Sequence, residues 1–253
     1  MKEGFRLLPG AEPFQRDGGP LGALLLHGFT GSPASTRPMA RWLAGQGLTV
    51  IAPRLPGHGT HWEDLARTSW TDWVDEAAGA LRDLSSRCAD VCVVGVSMGG
   101  SLAVHLAATH PDEVRCVAVV NAYIHDPRLA LAPVLRVFAR TKKLKTNDIN
   151  KPGQDEVAYD RAPVVTLATL GELLRTAESE LAQVRQPLLV FSSPQDHLVK
   201  PANSELIMRT AGSTDKELVL LPSSFHVATL DHDADLIRER VLAFARAHAS
   251  AGA

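Results

Sequence analysis

The chain has 253 residues, 45% apolar and 21% charged, with a formal net charge of −2, which suits one α/β domain with a substantial core. That balance excludes a strongly basic nucleic-acid-binding domain, and three cysteines (Cys88, Cys92, Cys116) are too few for a disulfide framework and read as reduced packing residues. The opening "MKEGFRLLPGAEPF" has no apolar core of signal-peptide length and no run approaches a membrane span, so the expected location is the cytoplasm.

In chain order, the first clear strand is "GALLLHG", followed by the loop "FTGSP" and an amphipathic helix over "STRPMARWLAGQG". His27 in that loop reads as a residue that holds it by hydrogen bonding. The strand "LTVIAP" comes next, then "PGHGTH". His58 and His61 alone make a poor metal site, with no cysteine or acidic cluster beside them, and read as turn and loop packing. "SWTDWVDEAAGALRDLSSR" predicts a second helix.

The stretch "VCVVGVSMGG" is the most informative. A β-branched run reads as a strand buried on both faces. Met98 to His110 reads as a helix stopped by Pro111. Ser97 stands at the reversal between them, where a sharp turn strains the apex backbone. Gly95 and Gly99 remove side chains that would collide with such a turn, which lifts the serine hydroxyl clear at the amino end of a helix. Ser97 is therefore the candidate nucleophile. A G-x-S-x-G match by itself is weak, so its partners decide.

"VRCVAVVN" predicts the next strand. From about residue 122 to 170 no strand is expected. The interval offers an apolar helix candidate, "LALAPVLRVF" (Leu129, Leu131, Val134, Leu135, Val137, Phe138), a basic cluster (Arg140, Lys142, Lys143, Lys145) and the turn-rich "TNDINKPGQDE". So long an interruption reads as a lid or insertion over a site. The basic cluster has two readings, a solvated face or transient contact with anionic lipid surfaces.

Two further strands, "PLLVFSS" and "KELVLLP", flank the helix "ANSELIMRTAG", and a final helix carries Ile237, Val241, Phe244 and His248 on one face. The alternation predicts an α/β fold with a mostly parallel sheet covered on both sides. A serine hydroxyl needs a base, and the base needs an acid to orient it. Asp196 follows the first of these strands and His226 the second, in the order serine, acid, histidine. His197 and His232 are rival bases. Asp231, His232 and Asp233 read as the start of the last helix, with Asp231 capping backbone N–H groups. The backbone N–H groups of Met98 and Phe29 are the expected oxyanion donors.

The segments "GAEPF", "LLLHGFTGSP", "PRLPGHGTHWEDL", "GVSMGGSLAVHLA", "DEVAYDRAP", "SSPQDHLVKP" and "SSFHVATLD" together resemble the α/β-hydrolase fold, and within it the bacterial monoacylglycerol lipases and related small carboxylesterases. That resemblance implies one α/β-hydrolase domain over residues 1–253 with a cap at about 122–170. It implies Ser97, Asp196 and His226 as the triad, and Phe29 and Met98 as the oxyanion hole. It also suggests that Glu156, in the cap, hydrogen-bonds glycerol hydroxyls; the other reading of Glu156 is a solvated helix-start carboxylate. The expected activity is ester hydrolysis through an acyl-enzyme, with monoacylglycerol as substrate and no metal or organic cofactor. A short-chain carboxylesterase, a thioesterase and a non-catalytic receptor on the same fold are the alternatives.

Overall fold

The computed structural model describes residues 4–132 and 139–250. Nine strands are present among them: β1 (Phe14–Arg16), β2 (Leu21–Leu26), β3 (Thr49–Ala52), β4 (Asp90–Val96), β5 (Cys116–Val120), β6 (Thr141–Lys143), β7 (Arg161–Pro163), β8 (Leu188–Ser192) and β9 (Lys216–Leu220). Seven form one sheet in the order β1-β3-β2-β4-β5-β8-β9. Every pairing is parallel except that of β1 with β3.

The helices are α1 (Arg37–Gly45), α2 (Trp62–Leu65), α3 (Trp70–Ser85), α4 (Met98–Thr109), α5 (Val164–Glu180), α6 (Ala202–Thr210) and α7 (Ala234–His248). Central strands are buried throughout and mainly apolar because each face meets helices. In β4, Val91 and Val93 enter one core with α3, α4 and α5, while Cys92, Val94 and Val96 enter the other with α1 and α7. Alternation at period two thus feeds two cores from one strand. All three cysteines are free and buried. Among the described residues no helix is long and apolar enough to cross a membrane.

All six strands expected from the sequence form, as do the five expected helices outside the interruption. Between β5 and α5 the structure differs from expectation. Two three-residue strands, β6 and β7, pair antiparallel there as a small cap; they are short and carry polar residues, so no alternation marks them. The interval's end already belongs to α5, whose Leu170, Leu173, Leu174 and Ala177 join the main core. Of the apolar cap helix candidate, Leu129 and Leu131 lie in a 3₁₀ turn (Pro127–Leu131), and Val134, Leu135, Val137 and Phe138 fall outside the described residues.

Candidate active site

Ser97 sits between the last residue of β4 and the first of α4 with φ 54° and ψ −119°, in a region that costs a non-glycine residue strain. Backbone contacts hold it there: its N–H donates to the Val120 carbonyl (3.0 Å), and its carbonyl accepts from Tyr123 (3.0 Å) and Gly100 (2.9 Å). Space for this turn comes from missing side chains. A Cβ on Gly95 would stand 2.1 Å from the Gly99 carbonyl oxygen, and one on Gly99 would stand 2.2 Å from that of Leu26.

Ser97, Asp196 and His226 follow β4, β8 and β9, and the structure brings them together. His226 Nε2 lies 3.0 Å from Ser97 Oγ, and its Nδ1 lies 2.7 Å from Asp196 Oδ2. Because an ionised carboxylate only accepts, the imidazole proton belongs on Nδ1 and the Nε2 lone pair faces the serine hydroxyl. Asp196 Oδ1 accepts the backbone N–H groups of Leu198 and Val199, both at 2.8 Å. Burial alone would lower the His226 pKa; hydrogen bonding to Asp196 and the charges of Asp196, Glu156 and Asp148 outweigh it and raise the value above 6.5.

The rival bases do not contact Ser97, although His197 borders the same cavity. His197 turns its Nδ1 to Asp148 (2.9 Å) and its ring edge to Phe225. His232 is exposed. Asp231 does not cap the last helix, which begins after Asp233. It accepts the neighbouring His232 N–H (2.8 Å) and, beyond what local order suggests, those of Phe225 (2.9 Å), Asn150 (2.7 Å) and Lys151 (2.8 Å), tying the His226 loop to the cap.

Around the other side of Ser97, Gly28 approaches so closely that a Cβ there would meet the serine Cβ at 3.2 Å. Phe29, next in that loop, lines the cavity. Met98 is the first residue of α4, so its N–H has no intrahelical acceptor; among the described residues neither this N–H nor that of Phe29 has a backbone partner. His27 holds the loop as expected: its Nδ1 pairs with the Gly28 carbonyl (2.9 Å) and its Nε2 accepts from Leu55 N–H (3.2 Å). Burial pushes its pKa down to about 4, so it stays neutral. His58 is buried with Nδ1 on the Pro56 carbonyl, and His61 caps α2 in solvent.

These residues border a cavity of about 310 Å³. Leu129, Leu167, Leu170 and Val199 supply apolar wall, Glu156 a carboxylate, and Lys142, Lys143 and Lys145 a cationic side. Glu156 is not at a helix start. It belongs to the loop before β7, with Oε1 3.0 Å from the place of a Gly31 Cβ. Burial raises its pKa, opposed by the charge of His226 and by backbone hydrogen bonding at Asn147.

Residues 23–233 match a family model described as serine aminopeptidase, S33. The chain is 41% identical over 251 residues to a thermostable monoacylglycerol lipase of Bacillus sp. (strain H-257), covering 98% of this chain and 100% of the lipase. The chain belongs to the α/β-hydrolase family of serine esterases and lipases. A carboxylesterase of Bacillus subtilis (strain 168) is 28% identical over 92% of this hydrolase and 95% of its own length. A solved structure from work on LipS and LipT, two metagenome-derived lipolytic enzymes, superposes with a TM-score of 0.92 at 41% identity, covering 96% of this chain and 100% of the other. This chain is thus a serine hydrolase acting on carboxylic esters.

Three residues of this hydrolase's site have no sequence signal strong enough to single them out. Asn121, at the end of β5 with φ 46°, donates to the His226 carbonyl (2.8 Å) and accepts from Ser193 N–H (2.8 Å). Its clue is an asparagine directly after a strand, a type that tolerates the left-handed region. Tyr159 donates to the Gly57 carbonyl (2.8 Å), accepts from Thr60 N–H (2.7 Å), and gives its own N–H to Thr30 (3.1 Å). Asp148 lies in a turn-rich stretch where a carboxylate looks ordinary.

Proposed function

We propose that this hydrolase cleaves monoacylglycerols to glycerol and a fatty acid through an acyl-enzyme on Ser97. The observation that carries the reading is the unbroken contact from Ser97 Oγ through the His226 ring to Asp196, opening on a cavity that also holds the Glu156 carboxylate. His226 Nε2 takes the Ser97 proton as Oγ attacks the ester carbonyl. The Met98 and Phe29 N–H groups receive the developing oxyanion, beside the positive end of α4. The tetrahedral intermediate expels the glycerol oxygen, which takes the proton from His226. Water then attacks the acyl-enzyme with His226 again as base, releasing the acid and restoring Ser97. Asp196 holds the ring and stabilises its charged form.

The glycerol preference rests on Glu156 and on likeness to the Bacillus monoacylglycerol lipase. A carboxylate at the polar end of the cavity has acceptor capacity for free hydroxyls. A diester or triester would bury that group against a second acyl chain with no donor to offer.

The test is a hydrolysis panel of mono-, di- and triacylglycerols and simple alkyl esters across chain lengths, run on the wild type and Glu156→Ala. Monoacylglycerols should lead, and Glu156→Ala should cost about tenfold in kcat/KM on them alone, the scale of a hydrogen bond to a charged group. Triacylglycerols cleaved equally fast would remove the monoacylglycerol reading. Simple alkyl esters leading, with Glu156→Ala neutral, would make it a general carboxylesterase.

A further inference from the structure

Asp148 belongs to the cap yet lies beneath the His226 loop. Its carboxylate is buried, with a side chain only 2% exposed. Oδ2 accepts the backbone N–H groups of His226 and His197, both at 3.2 Å. Oδ1 lies 2.9 Å from Lys145 Nζ and 2.9 Å from His197 Nδ1. The Asp148 carbonyl accepts Val227 N–H at 3.1 Å. One cap residue therefore takes donors from the loop after β8, which carries Asp196, and from the loop after β9, which carries His226.

A buried carboxylate this fully satisfied is costly to lose, because its removal leaves several N–H groups without acceptors at once. The backbone N–H it holds is that of His226 itself, so the contact falls on the residue whose ring must lie between Ser97 and Asp196. Small displacements of such a group are felt in the chemical step, since proton transfer requires hydrogen-bond distance.

We propose that Asp148 is a positioning residue for the reaction: it pins the His226 backbone from the cap side and sets the electrostatics in which the imidazole accepts its proton. The proposal rests on the reading of His226 as the base that activates Ser97. The groups facing the ring are the Ser97 hydroxyl and the carboxylates of Asp196, Glu156 and Asp148, with Lys145 and His197 behind Asp148. Lys145 and the two N–H groups outweigh burial and keep the Asp148 carboxyl below its usual range, so its charge is present at neutral pH and favours the protonated imidazole.

The experiment compares Asp148→Asn, Asp148→Ala and Lys145→Gln with the wild type on a soluble short-chain ester, recording kcat and KM across pH. Asp148→Asn keeps an acceptor and removes the charge, so the acid limb should move to lower pH. Asp148→Ala removes both and should lower kcat by about 10- to 100-fold with little change in KM, the cost expected of a misplaced base. Lys145→Gln removes a half-exposed cation from behind Asp148 and should move the limb the opposite way, to higher pH. Opposed shifts cannot come from general loss of structure, and Lys145→Gln decides the matter if neither Asp148 variant folds. Limbs that stay at the wild-type pH, with kcat kept in Asp148→Ala, would overturn the proposal. A parallel Ser97→Ala protein separates the two readings: if it remains active, the assignment of Ser97 and His226 has failed, whereas an inactive Ser97→Ala beside unmoved limbs condemns the role of Asp148 alone.

Discussion

The central sheet and the cap position side chains by different means. In the sheet, β4, β5 and β8 set their loops through regular parallel pairing, and the residues that emerge at their carboxyl ends follow from register. Ser97 has its conformation imposed by backbone hydrogen bonds and by glycines that admit neighbouring chain. Among the described residues of the cap, regular structure before α5 is a 3₁₀ turn and two paired strands of three residues. Its polar attachments are individual contacts: Asp148 accepts from the His226 N–H, the Asn150 and Lys151 N–H groups donate to Asp231 beside the His226 loop, Ser32 Oγ donates to the Val157 carbonyl (3.0 Å), and the Tyr159 N–H donates to Thr30 in the loop that holds Phe29. A sheet distributes its stability over many contacts, whereas a pinned segment concentrates it in a few replaceable groups.

The sharpest way to probe the sheet side is at the apex. Ser97→Ala should lower turnover by about 10³- to 10⁶-fold with an unchanged circular dichroism spectrum, measured on any ester the wild type cleaves. Gly99→Ala comes next. Its new Cβ would overlap the Leu26 carbonyl oxygen, and denaturant melts should show a loss of about 3 kcal/mol or more; a melt at the wild-type midpoint would mean that the apex is looser than its geometry.

On the cap side, Tyr159→Phe removes a hydroxyl that bonds Gly57 and Thr60. A drop of about 1–3 kcal/mol is expected in the same melts, smaller than that of Gly99→Ala because one pin is lost and no backbone is forced apart. The smallest effect is the pH dependence. On the proposed mechanism His226 must be neutral to accept the Ser97 proton, and its pKa is raised, so kcat/KM should fall as pH drops through a limb lying above 6.5. A limb at or below 6.5 would show that burial of the ring outweighs the carboxylates around it.

The same contrast explains what could be read in advance. Most of the six longer strands are mainly apolar runs bounded by turn residues, a local pattern that can be read without the fold. The positions of Ser97, Asp196 and His226 follow from such runs, because each comes shortly after a strand end. The strands β6 and β7 carry no such pattern. Helix α5 is not among the expected elements because "VVTLATLGELL" begins inside an interval that reads as an insertion, although Leu170, Leu173 and Leu174 pack in the main core. Asp231 differs from expectation for a related reason: an aspartate just before a helix looks like a cap, and nothing local reveals that Phe225, Asn150 and Lys151 present their N–H groups to it.

By itself the amino-acid order determined the alternating layers, the glycine-framed reversal at Ser97 and the succession of polar residues beyond three strand ends, because these depend on periodicity and local stereochemistry. Only the folded chain decided which buried polar side chain meets which backbone group: Asp148 the His226 N–H, Asp231 the Phe225 N–H, and Asn121 the His226 carbonyl and the Ser193 N–H. Those pairings join residues from 6 to 105 positions apart through single hydrogen bonds. A contact of that kind has no period and no compositional mark, so it becomes visible only when the chain has closed on itself.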